Sequence, residues 1–141
     1  MAEMTKQEYL QFLVEEPRTA KAATVKADGS PHVVPVWFAL DDEILIFTTW
    51  HETIKAANLR RDGRIAICVD DQRPPFSFVQ IEGRASLQEQ AEDLEYWATH
   101  IAGRYMGEDK AEEYGQRNSV QGELLVRVKP IHVIARKNIA D

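Results

Sequence analysis

Residues 48–64 read TTWHETIKAANLRRDGR, and they gather three hydroxyls, a lysine and three arginines in a chain whose formal net charge is −6. Two chemistries fit that stretch. In the first, Thr48, Thr49 and the leading backbone N–H groups of a helix stand at its positive end, a place for an anion such as a phosphate, and Lys55 reaches back to it. In the second, Thr49 and Glu52 form a capping box for a helix over 50–61, Lys55 is merely solvated, and Arg60 and Arg61 answer the dipole before Gly63 ends the helix. Spacing alone leaves both open.

Two other stretches stand out. His32-Val33-Val34-Pro35-Val36-Trp37-Phe38 is strand-like, yet Pro35 cannot donate to a ladder and so belongs at an edge or a bulge. A strand with locally unpaired backbone offers free groups to a flat polar ring; by pattern alone, Trp37 is a core residue. Glu82-Gly83-Arg84-Ala85 places a glycine inside a strand, which predicts a bulge or the close approach of another backbone, as at a dimer interface.

Other chemistries find no support in the residues. The four histidines, His32, His51, His100 and His132, have no partner at zinc-ligand spacing, so no metal is expected. There is no Gly-rich phosphate loop and no G-x-S-x-G elbow. The single cysteine, Cys68, lies in the apolar run IAICV and reads as a small core residue in a reducing compartment. Net acidity argues against nucleic acid as a partner. The lack of a membrane-length apolar run and of a signal-peptide pattern points to the cytoplasm.

The elements that must position these residues follow from local patterns. A length of 141 residues predicts one domain spanning 1–141. Thr5 and Glu8 make a capping box, with Met4 and Tyr9 as a staple, for a helix over 5–15. Asp28-Gly29 and Asp41-Asp42 turn three successive strands, the last being EILIFTT. RIAICVD is an unbroken apolar run, predicted to be buried on both faces. SFVQIEGRASL alternates, and GELLVRVKPIHVIARKN is a long strand with a bend or edge position at Pro130. Residues 89–106 and 108–117 read as amphipathic helices broken near Gly107. Six strands in succession with peripheral helices predict a mainly β fold, a small antiparallel barrel.

In order and spacing, ATVKADGSPHVVPVWF, a strand ending in TT, KAANLRRDGR and IEGRA resemble the flavin-binding split-barrel family related to pyridoxamine 5′-phosphate oxidase. The resemblance is strongest to the branch that uses the deazaflavin coenzyme F-420. It implies a six-stranded antiparallel split β-barrel of the FMN-binding type and a homodimer with cofactor sites at the interface. It implies that the backbone of His32, Val33, Val34 and Pro35 meets the cofactor ring, Thr48 and Thr49 hold the ribityl chain and phosphate, and Lys55 pairs with the phosphate. Asn58 would be structural support, Gln80 would reach the site from the partner chain, and Trp37 and Trp50 would wall the substrate pocket.

The implied activity is hydride transfer to a conjugated acceptor: an enone, a quinone or a tetrapyrrole such as biliverdin. No side chain is assigned a catalytic role, because such a cofactor carries the difficult chemistry itself. An FMN-dependent oxidoreductase and a non-catalytic flavin- or deazaflavin-binding protein are the alternatives; for a heme-handling relative no histidine is well placed as an axial ligand. The chain departs from the family pattern at Glu52 and Thr53, where relatives often carry basic or small residues, and at Gly63, where they often carry proline. It also lacks a C-terminal arginine-rich motif, so vitamin B6 oxidation is not the expected activity.

Overall fold

Thr5 begins the first helix as expected. In the computed structural model, which describes all residues from Met1 to Asp141, its hydroxyl accepts from the Glu8 N–H at 3.1 Å and the Glu8 carboxylate accepts from the Thr5 N–H at 3.0 Å. That box opens α1 (Lys6–Glu15), whose Phe12 and Leu13 are buried at one end of the barrel core. A two-residue strand, β1 (Ala2–Glu3), precedes it.

The strands that follow are β2 (Ala20–Val25), β3 (Pro31–Val36), β4 (Ala39–Asp41), β5 (Ile44–Trp50), β6 (Arg64–Asp71), β7 (Ser77–Glu89) and β8 (Glu123–Lys137). All pair antiparallel in the order β3-β2-β6-β7-β8-β5-β4, with β1 added beside β8. The two ends of this ladder, β3 and β4, are joined covalently through Trp37 and Phe38. The sheet therefore curls back on itself without a pairing between its end strands, which makes it a split barrel.

The count is eight strands, against six expected. One extra is β1; the other arises because the run from Pro31 to Asp41 is interrupted at Trp37-Phe38. Side chains take the backbone groups there. The Phe38 N–H donates to the Tyr105 hydroxyl at 3.3 Å, and the Arg104 guanidinium donates to the Phe38 carbonyl. With both of its backbone groups satisfied off the ladder, Phe38 leaves the strand without an unpaired polar group.

Inside the barrel, Phe38, Phe47, Leu45, Ile67, Val69, Val79, Val126 and Val128 are almost fully buried. A second cluster on the outside of β4 and β5 joins Ala39, Ile46 and Leu125 to Leu94 and Ile101 of α3 (Leu94–Met106). After Gly107 a single 3-10 turn leads into α3's neighbour α4 (Ala111–Arg117), so two helices broken at Gly107 are present as expected, but the first starts at Leu94 and not at residue 89, because Glu89 still pairs in β7. No helix is long and apolar enough to cross a membrane.

Two strand expectations resolve in different ways. At Gly83 the register between β7 and β8 slips, because Glu82 pairs with His132 and Gly83 with Pro130, leaving Ile131 as the extra residue. A Cβ on Gly83 would lie 2.7 Å from the Lys129 carbonyl oxygen, so the close approach is real and comes from β8 of the same chain. For β6, burial on both faces does not occur. Ile65, Ile67 and Val69 are buried, whereas Ala66 and Cys68 point to the other face and are only partly covered. Cys68 is thus not a core residue, since no element of this chain packs over that face of the sheet.

A candidate anion pocket between β3, β5 and α2

The helix that follows TTW begins later than its capping box predicts. It is α2 (Ile54–Arg61), and its N-cap is Thr53, whose hydroxyl accepts from the Ala56 N–H at 3.2 Å. Thr49 and Glu52 do not cap it. The reason lies in β8: Thr49 and Trp50 continue the ladder by pairing with Leu124 and Glu123, which holds Thr49 in the strand. Thr49 is instead buried, and its hydroxyl lies 2.9 Å from that of Thr53. Glu52 falls outside the helix, its side chain exposed and 3.5 Å from His51. The first turn of α2 therefore carries no acidic side chain to oppose an anion.

The C-terminal end is also built differently from expectation. Asp62 is the C-cap, and Gly63 lies beside Ala85, whose N–H donates to its carbonyl at 2.8 Å. Arg60 donates to the His51 carbonyl, Arg61 to the carbonyl of Val25, and Arg64 pairs with Asp62. All three arginines are spent on structure. Asn58 is too: it is buried and donates to the Thr24 hydroxyl at 2.9 Å, fastening α2 to β2.

Lys55 is left over. It is half-buried and makes no hydrogen bond or ion pair within the chain. It lines a cavity of about 320 Å³ together with Pro35, Trp37, Thr48, Thr49, Trp50 and Thr53, closed on one side by Ala98 and Ile101 of α3 and by Asn118 and Glu123. Burial pushes the Lys55 ammonium below its usual pKa, with the Glu123 carboxylate partly offsetting that. Glu123 is pushed up by burial, opposed by Lys55 and His51. The N–H groups of Ile54 and Lys55, at the first turn of α2, have no backbone acceptor. An ammonium, a set of hydroxyls and two free amide donors at a helix start can hold an anion. Nothing here forms a nucleophile–base pair.

Of the residues singled out in the sequence, Pro35, Trp37, Thr48, Thr49, Trp50 and Lys55 meet at this cavity. Trp37 stands in its wall, held by stacking on Tyr105 at 5.2 Å between ring centroids. His32, Val33 and Val34 lie further along β3, the end strand of the sheet. Val33 is 62% exposed between two prolines, and the His32 Nδ1 is shielded from solvent without any hydrogen-bond partner. Gln80 is not at the cavity. The register Pro35–Lys21–Cys68–Gln80 places it three strands from Pro35, about 14 Å at the usual strand spacing. Thr53, Ala98, Ile101, Asn118 and Glu123 are lining residues to which the sequence patterns give no site role. Thr53 lies in the same stretch but enters the sequence reading only as a departure from the family pattern, while Asn118 and Glu123 arrive from about 65 residues away with no local signal.

Several solved structures share this architecture. The conserved hypothetical protein Rv2991 from Mycobacterium tuberculosis is 27% identical, over 96% of this chain and 86% of that one, with a TM-score of 0.83. An F420 reductase is 25% identical, over 87% of this chain and 94% of that one, with a TM-score of 0.69. The heme storage protein HutZ from Vibrio cholerae, at 18% identity with a TM-score of 0.72 over 94% of this chain and 96% of that one, shares the fold. No curated protein matches the chain. The family model described as pyridoxamine 5′-phosphate oxidase matches residues 5–137, nearly the whole length, and the chain belongs to that family.

Proposed function

We propose that this protein is an oxidoreductase that binds coenzyme F-420, holding the phosphate in the cavity at Lys55 and the ring along β3. The observation that carries the reading is Lys55 itself: a half-buried ammonium with no partner, facing Thr48, Thr49 and the open first turn of α2. A buried charge without a partner is costly, and an anionic ligand removes that cost. The similarity to an F420 reductase favours the deazaflavin over FMN, which would use the same cavity.

The residues fit such a group in two further respects. A cavity of about 320 Å³ suits a phosphate and a sugar-alcohol chain but is small for a tricyclic ring as well. The ring would extend past Pro35 along β3, where Val33 is exposed and the His32 Nδ1 lacks a partner. That edge is open in one chain. A second copy would close it, bringing its Gln80 to the site and covering the face that carries Ala23, Ala66 and Cys68, where a hollow of about 390 Å³ is lined partly by Ala23, Pro31, Ala66 and Ile131. An apolar strand with one uncovered face suits an obligate interface.

When bound, the reduced deazaflavin supplies a hydride to an electron-poor double bond of an enone, a quinone or a tetrapyrrole such as biliverdin. The chain's part is to bind and orient. Lys55 neutralises the phosphate, Thr48 and Thr49 hydrogen-bond the attached chain, and Trp37 and Trp50 wall the space for the acceptor. Holding two reactants in register is itself a large contribution to rate.

The deciding experiment is titration of the purified protein with coenzyme F-420 and with FMN, followed by ring fluorescence, then turnover of reduced F-420 with a panel of enones, quinones and tetrapyrroles. F-420 binding with turnover of one acceptor class is the expected result. Preferential FMN binding would move the reading to a flavin oxidoreductase, and F-420 binding with no turnover on any acceptor would leave a cofactor carrier.

A further inference from the structure

The cavity at Lys55 has a neighbour. A groove of about 700 Å³ lies on the other side of β8's first residue and is lined by Glu89, Glu92, Glu95 and His51 among others; the one residue common to both spaces is Glu123. Glu123 pairs across the sheet with Trp50, its backbone N–H donates to the Val120 carbonyl, and its carboxylate makes no hydrogen bond or ion pair. Lys55 is close enough to act on it electrostatically but is not within ion-pair distance. A site thought to receive a phosphate thus contains one cation and one carboxylate, each without a direct partner, with three more carboxylates across the shared wall.

We propose that Glu123 is the specificity residue of this phosphate site, shifting its selectivity away from a doubly charged phosphate monoester and toward a singly charged diester. The proposal rests on the reading that the cavity holds a cofactor phosphate. A monoester carries a charge of about −1.5 to −2 at pH 7, since its second pKa is about 6. A diester carries one charge at any working pH. Lys55 attracts the ligand and Glu123 repels it, each in proportion to the ligand's charge, so that Glu123 offsets part of the advantage Lys55 gives the more highly charged ligand. Because Coulomb repulsion scales with the ligand charge, Glu123 acts roughly twice as strongly against a monoester as against a diester. The phosphate of coenzyme F-420 is a diester and that of FMN a monoester, so the same residue biases the site between these two kinds of phosphate without touching either ring.

The test uses one ring and two phosphates: FMN and the methyl diester of FMN, titrated by ring fluorescence at pH 8 against the wild-type chain and Glu123→Gln, Glu92→Gln and Lys55→Ala. Glu123→Gln should tighten FMN by about tenfold and the diester by about threefold, the scale of one added charge in a half-solvated site, so that the diester-to-FMN affinity ratio is about threefold higher in the wild type than in the variant. Glu92→Gln, exposed in the neighbouring groove, should leave the wild-type ratio in place. The difference in ratio between the wild type and Glu123→Gln should vanish as pH falls and Glu123 takes a proton in the presence of Lys55, His51, Glu89, Glu92 and Glu95; in Glu123→Gln only the phosphate's own titration should remain. An unchanged ratio in Glu123→Gln, with Lys55→Ala weakening both ligands, overturns this inference alone. If Lys55→Ala changes neither affinity, or neither ligand binds, the cofactor reading falls and this inference with it.

Discussion

The hydroxyls of Thr49 and Thr53 lie 2.9 Å apart, one at the end of β5 and the other at the cap of α2. The Thr53 hydroxyl also accepts from the Ala56 N–H, and it is near enough to the Trp50 carbonyl, at 3.0 Å, to donate there. One side chain thereby fixes the angle at which the helix leaves the strand, and with it the position of Lys55. Thr53→Ala should cost about 1 kcal/mol of stability, as for other lost caps, and Thr53→Ser should restore most of it. Urea unfolding of the two variants measures this; equal midpoints for Thr53→Ala and the wild type would refute the capping role.

Lys55→Ala should weaken cofactor binding by about 1.5–3 kcal/mol, the range for a charge-assisted contact. It should not destabilise the free protein. Burial disfavours the charged amine in the folded state, so its folded pKa lies below 10.5 and the wild type gains stability as pH rises through the interval between the two. Thermal melts of the free protein from pH 7 to 11 should show that gain in the wild type and not in the variant.

At the acid end two kinds of carboxylate act in opposite directions. Glu123 has a raised pKa, so its contribution is present below about 4.5 and is lost as pH climbs through the folded value. Asp71 is held at about 2 by the Arg73 guanidinium and N–H, so its contribution is present above 3.8 and is lost as pH falls toward 2. Glu123→Gln should flatten the loss of stability just above pH 4.5, while Asp71→Asn should be destabilising at neutral pH and indistinguishable from wild type below pH 2. Melting temperatures across pH 2–7 separate the two.

Tyr105 holds the β3–β4 break from both sides. Its hydroxyl accepts from the Phe38 N–H and donates to the Arg18 carbonyl at 2.7 Å, while its ring carries Trp37. Tyr105→Phe should cost about 1–3 kcal/mol, because two backbone groups lose their partner. It should also loosen Trp37, visible as a change in tryptophan emission without loss of the far-ultraviolet circular dichroism of the fold.

Where α3 crosses α4, a Cβ on Gly115 would sit 2.0 Å from the Thr99 hydroxyl oxygen and 2.7 Å from the Thr99 Cα. Gly115→Ala should therefore destabilise the helical pair despite alanine's better helix propensity, by about 1–3 kcal/mol. Chemical denaturation checks it; a neutral or stabilising change would show that the helices part freely.

Much of the frame was readable from local chemistry. Thr5 and Glu8 capped α1, Asp28-Gly29 turned the first hairpin, Gly83 marked the bulge, and the arginines after Asn58 proved structural, because each of those features is decided within a few residues or by one close backbone. Periodicity was enough to separate strands from helices for the same reason. Patterns failed where a distant strand or helix outbid the local preference. Thr49 has a good capping spacing with Glu52, yet pairing with Leu124 kept it in β5 and passed the cap to Thr53. The run RIAICVD looked buried on both faces because its residues are apolar, but burial depends on what packs above them.

The cavity shows the same division. Thr48, Thr49 and Lys55 are neighbours in sequence, so a hydroxyl-and-lysine cluster at a helix start follows from spacing and helix geometry. Its walls and its charge balance do not. Ala98, Ile101, Asn118 and Glu123 reach it only because α3 packs on β5 and β8 pairs with β5 through Trp50. A carboxylate's effect on a ligand falls with distance in space and is blind to distance along the chain, so whether Glu123 faces Lys55 was decided by the closing of the barrel.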